Sequence, residues 1–357
     1  MPTRRFAASL ALSTALVATP AFAAPDVVAS IKPVHSLVSA VMDGVGEPDL
    51  LIEGAASPHG YNLRPSEAAA LQDADLVFWI GPALETFLDG TLDTLSAGAT
   101  HVALMETDGA TLLEVREGGA FEAHDHDHDH GHGADDHAHD EDHDHDDHAH
   151  DDDHAHDDDH AHDDDHAHDD HDHDHAEHSH DDGHVHDAHL WLDPQNATAF
   201  VTAIEAALSQ ADPENAAAYA ENASATIERL NALEADVAAR LAPHAQTGFI
   251  VFHDAYQYFE NRFDLSAAGA ITVNPEVSPG PERLREIQER IGELGAACVF
   301  AEPQFEPRVI DVVTEGTEAR SGVLDPLGAT LTPGPDLYFE LIGEMASAFE
   351  TCLSESG

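Results

Sequence analysis

The sequence predicts an α/β protein of two lobes, each a mainly parallel sheet with flanking helices, joined by one long backbone helix. Three observations carry that expectation. Short β-branched runs alternate with helical stretches in both halves, and an uninterrupted amphipathic segment lies between the halves. A polar low-complexity run has no apolar face to bury and stands apart as an insert. With that run removed, the 357-residue chain still has ample length for a sizeable core.

At the N-terminus, Arg4 and Arg5 precede an apolar stretch at 6–17, and Thr19-Pro20-Ala21-Phe22-Ala23 ends in a small-x-small pattern. Residues 1–23 therefore read as a cleavable secretory signal peptide. Its apolar core is too short to span a bilayer and no later segment is long enough, so no membrane insertion is expected. No cysteine stands at the cleavage point, which argues against a lipid anchor there. The expected location is the periplasm.

Residues 24–212 form the expected first lobe, with strands at 27–31, 50–52, 76–80 and 102–104 and helices at 36–42 and 66–74. The lobe includes an insert at 117–187. Between His124 and His186 it holds 24 histidines and 27 acidic residues with no lysine or arginine, and the unit Asp-Asp-Asp-His-Ala-His recurs at Asp151, Asp157 and Asp163. Imidazole suits zinc, copper, nickel and iron, while carboxylates draw cations in from a distance. A solvating spacer would need only the acid and does not account for so many His-x-His pairs. The insert is expected to be disordered without metal and to bind extra zinc weakly, because each bound ion must order flexible chain. Storage or buffering by the insert alone is a further reading, but it leaves two folded lobes without a role.

Asp193 caps a helix that Pro194 opens and that runs to about residue 210; Asp212-Pro213 repeats the device. From there Ile227, Leu230, Leu233, Val237 and Leu241 recur at helical spacing until Pro243, which gives a long linking helix at 213–243. At 1.5 Å per residue it would reach about 40 Å, enough to run along both lobes. Residues 244–357 form the second α/β lobe, with strands at 249–252, 265–268, 298–301 and 322–324 and helices at 281–294 and 335–353.

Charge narrows the partners. The chain has 71 acidic against 13 basic residues, for a formal net charge of −58, and Lys32 is the sole lysine. Such a field repels nucleic acid and anionic membrane surfaces and favours a cationic ligand. Cys298 and Cys352, the only cysteines, are expected to pair as a disulfide in an exported chain, with two buried thiols as the alternative.

Outside the insert six histidines remain: His35, His59, His101, His189, His244 and His253. His59 lies in a loop after the second strand, His189 just past the insert, and His253 at the end of an apolar strand; Asp325 closes the last strand ahead of Pro326. Ligands in open α/β sheets bind beyond the carboxyl ends of the strands, so facing lobes could bring these four together. Three imidazoles and a carboxylate make a tetrahedral set suited to zinc. Each also has a plainer reading, since a strand-end histidine is often a satisfied core residue and Asp-Pro a common turn. His35 is expected to be structural, and His101 and His244 to lie at the surface.

Four stretches carry a resemblance: Gly54-Ala55-Ala56-Ser57-Pro58-His59-Gly60-Tyr61-Asn62-Leu63-Arg64-Pro65-Ser66, Asp187-Ala188-His189-Leu190-Trp191-Leu192-Asp193-Pro194, Val251-Phe252-His253-Asp254-Ala255-Tyr256 and Ala301-Glu302-Pro303-Gln304-Phe305. Together they resemble the periplasmic zinc-binding component of high-affinity zinc ABC importers, in the cluster A-I (cluster 9) metal-binding proteins. The resemblance implies two lobes on a rigid helix, with Zn2+ held in the cleft as the transported ligand by His59, His189, His253 and Asp325. It also implies a cysteine pair like Cys298 and Cys352. Manganese-binding relatives carry glutamate where His253 stands, so a third imidazole implies zinc preference. Some members have an acidic residue before the first histidine, where this chain has Pro58, so Asp325 or a water must complete the shell.

The implied function is capture of Zn2+ and its delivery, by a monomer, to a membrane permease, with no bond-making chemistry. A secreted zinc hydrolase is the alternative; it needs a general base, for which Asp254 or Glu302 could be cast. Those two carboxylates are expected instead to orient an imidazole.

Overall fold

The β-branched run at 27–29 leaves no face for water, and it forms β1 (Val27–Ala29), buried inside the first sheet. The structure, a computed structural model, describes residues 24–116, 121, 185–272, 274–305 and 308–354. The expected signal peptide and most of the His-rich insert lie outside these residues. After β1 come α1 (Lys32–Val41), β2 (Asp49–Leu50), α2 (Pro65–Asp73), β3 (Leu76–Trp79), α3 (Thr91–Leu95) and β4 (Thr100–Ala103). The sheet is parallel throughout in the order β2-β1-β3-β4. Both interior strands, β1 and β3, are fully buried, as expected of continuous apolar runs covered on two faces.

Past a 3-10 turn at Leu190–Leu192, α4 (Pro194–Ala211) begins as the sequence predicts: Asp193 accepts from the Gln195 amide at 2.8 Å. The long helix α5 (Ala216–Leu241) has 26 residues and spans about 39 Å. It starts later than expected. Asp212 does not cap it; its carboxylate accepts from Asn215 Nδ2 at 2.7 Å and Tyr219 Oη at 2.9 Å, so residues 213–215 form a turn instead.

The second sheet contains β5 (Phe249–His253), then α6 (Gln257–Phe263), β6 (Ala267–Thr272), α7 (Pro281–Leu294), β7 (Cys298–Ala301), α8 (Arg308–Thr314), β8 (Arg320–Val323) and α9 (Leu337–Ser354). It too is parallel, in the order β6-β5-β7-β8. The strand expected from 265 starts at Ala267. Asp264 takes the left-handed conformation (φ 55°) and the Leu265 amide bonds back to Glu260 O at 3.0 Å, so Leu265 closes α6 rather than opening a strand. α3, α6 and α8, of five to seven residues, were not anticipated, being too short to display a period.

Helix α5 packs against α1 and α4 and also against α6 and α9, and α9 returns to pack on α1. One apolar core consequently runs from β1 and β3 through α4 and α5 to β5 and α9. A smaller core lies between the second sheet and α7 and α8. Polar crossings reinforce the first. Lys32 Nζ donates to the carbonyls of Gly328 (2.9 Å), Ala329 (2.8 Å) and Leu331 (3.2 Å), and Tyr338 Oη donates to Trp191 O at 2.7 Å. Cys298 and Cys352 form a disulfide that ties β7 to the end of α9.

The two ends of the insert are fixed to each other. Glu114 and His186 form an antiparallel bridge, the Val115 amide donates to Val185 O at 3.0 Å, and the Asp187 amide donates to Leu113 O at 2.9 Å. Arg116, at this stem, makes ion pairs with Asp254 and Glu260 of the second lobe.

Candidate metal centre

Three elements deliver one imidazole each. His253 is the last residue of β5, His189 opens the turn at Leu190–Leu192 immediately after the insert's stem, and His59 lies in the loop between β2 and α2. Their ligating atoms all fall within 4.8 Å of one another, the sole such group of histidine, cysteine and carboxylate residues among the described residues. His189 Nε2 lies 3.3 Å from His59 Nε2 and 3.1 Å from His253 Nε2. A zinc ion about 2.0–2.1 Å from each of several nitrogens at tetrahedral angles sets those nitrogens about 3.3–3.4 Å apart. The spacing is that of ligands around an ion.

Carboxylates fix which nitrogen faces inward. His189 Nδ1 is 2.7 Å from Asp187 Oδ1, which also accepts from the His189 amide at 3.0 Å. His253 Nδ1 is 2.9 Å from Glu302 Oε1 and 3.2 Å from Oε2. Each carboxylate accepts a hydrogen bond from Nδ1–H, which leaves the Nε2 lone pair facing the shared centre. Glu302, the residue just past β7, is thus placed by the strand next to β5.

The electrostatics suit a cation. Burial, then the neighbouring rings of His189 and His253, hold the His59 imidazole well below its ordinary pKa, so it stays neutral and able to bind metal. Burial also pushes His253 down, but the Glu302 carboxylate, with Asp254 and Asp187 behind it, outweighs burial and raises the ring's pKa. Trp191, Phe305, Pro326 and Leu327 wall the cavity, which is about 10 Å3, on the order of one water-sized guest. Trp191 is itself fixed across the lobes by Nε1 donating to Pro326 O at 2.8 Å.

Asp325, expected as the fourth ligand, is not a member of the cluster. Its Oδ1 accepts from Gln304 Nε2 at 3.0 Å and the Leu327 amide at 3.2 Å, and its Oδ2 from the Ala329 amide at 2.5 Å. Asp254, considered as an imidazole-orienting group, instead pairs with Arg116. His35 is buried with Nε2 3.0 Å from Pro48 O, in keeping with a structural role. His244, expected at the surface, is buried beneath the end of α9, with Nε2 3.4 Å from Ser354 Oγ. His101 is half-buried against Ser96.

Sequence reasoning missed Asp187 as the partner of His189. The Asp-Ala-His spacing carried the signal, because an aspartate two residues ahead of a histidine can reach both its amide and its ring.

Two parallel-sheet lobes on one long helix, with three imidazoles converging between them, define a cleft-type metal-binding protein of the α/β class. The chain belongs to the family described as ZnuA, zinc-uptake complex component A, periplasmic, whose model matches residues 27–352. High-affinity zinc uptake system protein ZnuA of Brucella suis biovar 1 (strain 1330) is 53% identical over 329 residues, 92% of each chain. The protein of that name from Paracoccus denitrificans (strain Pd 1222) is 41% identical over 349 residues, covering 97% of this chain and 98% of the relative. Among solved structures, a crystal structure of ZnuA superposes with a TM-score of 0.67 at 21% identity, covering 92% of this chain and 99% of that one. FpvC from Pseudomonas aeruginosa in complex with Mn2+ superposes at 0.68 with 20% identity over 93% of this chain and 99% of that one. At these identities the structural matches establish the shared fold alone.

Proposed function

We propose that this protein captures Zn2+ in the periplasm and delivers it to the permease of an ABC importer, acting as a monomer and as a binding protein rather than an enzyme. The observation that carries the reading is the convergence of His59, His189 and His253, with Nε2 atoms 3.1 and 3.3 Å apart and two of the rings backed by carboxylates. Zinc is the preferred ion because three imidazoles are softer than the carboxylate-containing set that hard ions favour. The fourth position falls between Asp325 and a water molecule. Membership of a periplasmic zinc-uptake family and 53% identity to a high-affinity zinc uptake protein support the same assignment.

The hydrolase alternative loses its general bases. Both oxygens of Glu302 lie within hydrogen-bond distance of His253 Nδ1, and Asp254 is paired with Arg116, so neither is free to take a proton from a nucleophilic water. The His-rich insert would add weaker zinc sites that enrich the ion near the cleft or sense its excess. The test is zinc titration against a chromophoric chelator. Full-length protein should show one tight equivalent followed by weak ones, and removal of 125–184 should abolish only the weak ones. Loss of the tight equivalent on that deletion, with the fold retained, would contradict the proposal.

A further inference from the structure

Where the insert leaves the fold its two ends pair, and a hydroxyl from the second lobe is built into the pairing. Opposite residues in a hydrogen-bonded antiparallel pair normally exchange both backbone bonds directly. For Leu113 and Asp187 one bond is direct, from the Asp187 amide to Leu113 O at 2.9 Å. The return bond runs through Tyr258, whose Oη accepts from the Leu113 amide at 2.9 Å and donates to Asp187 O at 2.9 Å. Tyr258 belongs to α6 and is 1% exposed, so the second lobe completes the pair.

Other contacts hold the same stem. From the second lobe, Gln257 Nε2 donates to Glu114 O at 3.1 Å, and Asp254 and Glu260 pair with Arg116. From the first, the Asn196 amide of α4 grips both backbone groups of Thr111, at 2.7 and 3.1 Å. The stem thus bridges the lobes.

Asp187 connects that bridge to the metal centre. Its Oδ1 accepts from the His189 amide at 3.0 Å and faces His189 Nδ1 at 2.7 Å. Without the Tyr258 hydroxyl, the Leu113 amide and the Asp187 carbonyl lose their common partner. A polar group left unpaired in a buried place is costly, so the two strands must shift or part, and either movement displaces the carboxylate that aims His189.

We propose that Tyr258 is a positioning residue for the metal site: its hydroxyl fixes Asp187, and through Asp187 the His189 imidazole, so that full zinc affinity requires the insert's stem to be docked on the second lobe. The inference rests on the reading of His59, His189 and His253 as zinc ligands. A ligand from the first lobe is then aimed by a group from the second. By reciprocity, bound zinc strengthens the docking by the factor that docking strengthens zinc binding.

The experiment combines chelator competition for the tight zinc equivalent of full-length protein with amide hydrogen exchange. Tyr258→Phe should weaken that equivalent about tenfold, the low end of what losing an imidazole's outer partner costs. Asp187→Ala should weaken it at least as much. In the Asp187→Ala background, Tyr258→Phe should cost less than about threefold, because it acts through the missing carboxylate. A tyrosine that served stability alone would show no such coupling. In the wild type, one equivalent of zinc should slow exchange of the Leu113 amide about tenfold, a result that stands even if a variant fails to fold. Unchanged zinc affinity in Tyr258→Phe, an undiminished tenfold cost beside Asp187→Ala, or a Leu113 amide indifferent to zinc would each overturn the proposal. Wild-type protein without a tight zinc equivalent would instead remove the transport reading, and this inference with it.

Discussion

Replacing Glu302 by glutamine separates the two effects of one buried carboxylate on the metal site. Glu302 is 4% exposed and faces His253 Nδ1 at 2.9 and 3.2 Å. Its charge strengthens His253 as a zinc ligand, and by the same attraction it stabilises the protonated ring that competes with zinc. At pH 7.5, where protons compete less than at pH 5.5, Glu302→Gln removes a charge-assisted hydrogen bond and should weaken zinc by 10- to 100-fold, or about 1.4–2.7 kcal/mol. The folded-state pKa of His253 is raised, so proton competition begins above the ordinary histidine range and grows as pH falls. The variant loses that raise and with it part of the competition, so its deficit should shrink toward pH 5.5. Chelator competition at the two pH values measures both constants. A loss equal at both, or no loss at either, would refute the role given to Glu302.

Four further outcomes are expected. His253→Glu should move preference from zinc toward manganese in a competition titration, since a carboxylate replaces an imidazole in the cluster. Glu85 is fully buried, and burial pushes its carboxyl up to about 7 against hydrogen bonds from Ser30 Oγ, Ile80 N and Gly81 N. With the folded pKa above the unfolded one, its favourable contribution is present at low pH and lost as pH rises from about 4.5 to 7; denaturant unfolding of Glu85→Gln should therefore gain about 3 kcal/mol relative to wild type across that window. Reducing the Cys298–Cys352 disulfide, which spans 54 residues, should lower stability by about 4 kcal/mol in the chain-entropy account, measured by urea unfolding with and without reductant. Arg116→Ala leaves Asp254 and Glu260 facing each other without their cation and should destabilise by about 3 kcal/mol by the same measurement.

The architecture was legible because its long elements carry their own period. Strand β7 and helix α7 fall where their apolar runs and the flanking Pro281 and Gly295 place them, and α5 shows through an unbroken amphipathic stretch. The departures came where side chains overrode a local pattern. Asp212-Pro213 looks like a helix start, yet Asn215 and Tyr219 draw the carboxylate away. His244 follows Pro243 in the turn that ends the long helix, which reads as surface, and it is buried where the end of α9 lies over it, a contact between residues 110 apart. The three histidines could be named from their positions after strands and from the resemblance. That their nitrogens meet depends on the packing of two lobes on one helix, which no local window contains.

The most direct test of the central claim is anomalous diffraction at the zinc edge from crystals of the full chain carrying one equivalent of Zn2+. A single strong peak about 2.0–2.1 Å from Nε2 of His59, His189 and His253 is the predicted result. A cleft without a peak, or zinc held by insert residues alone, would contradict it.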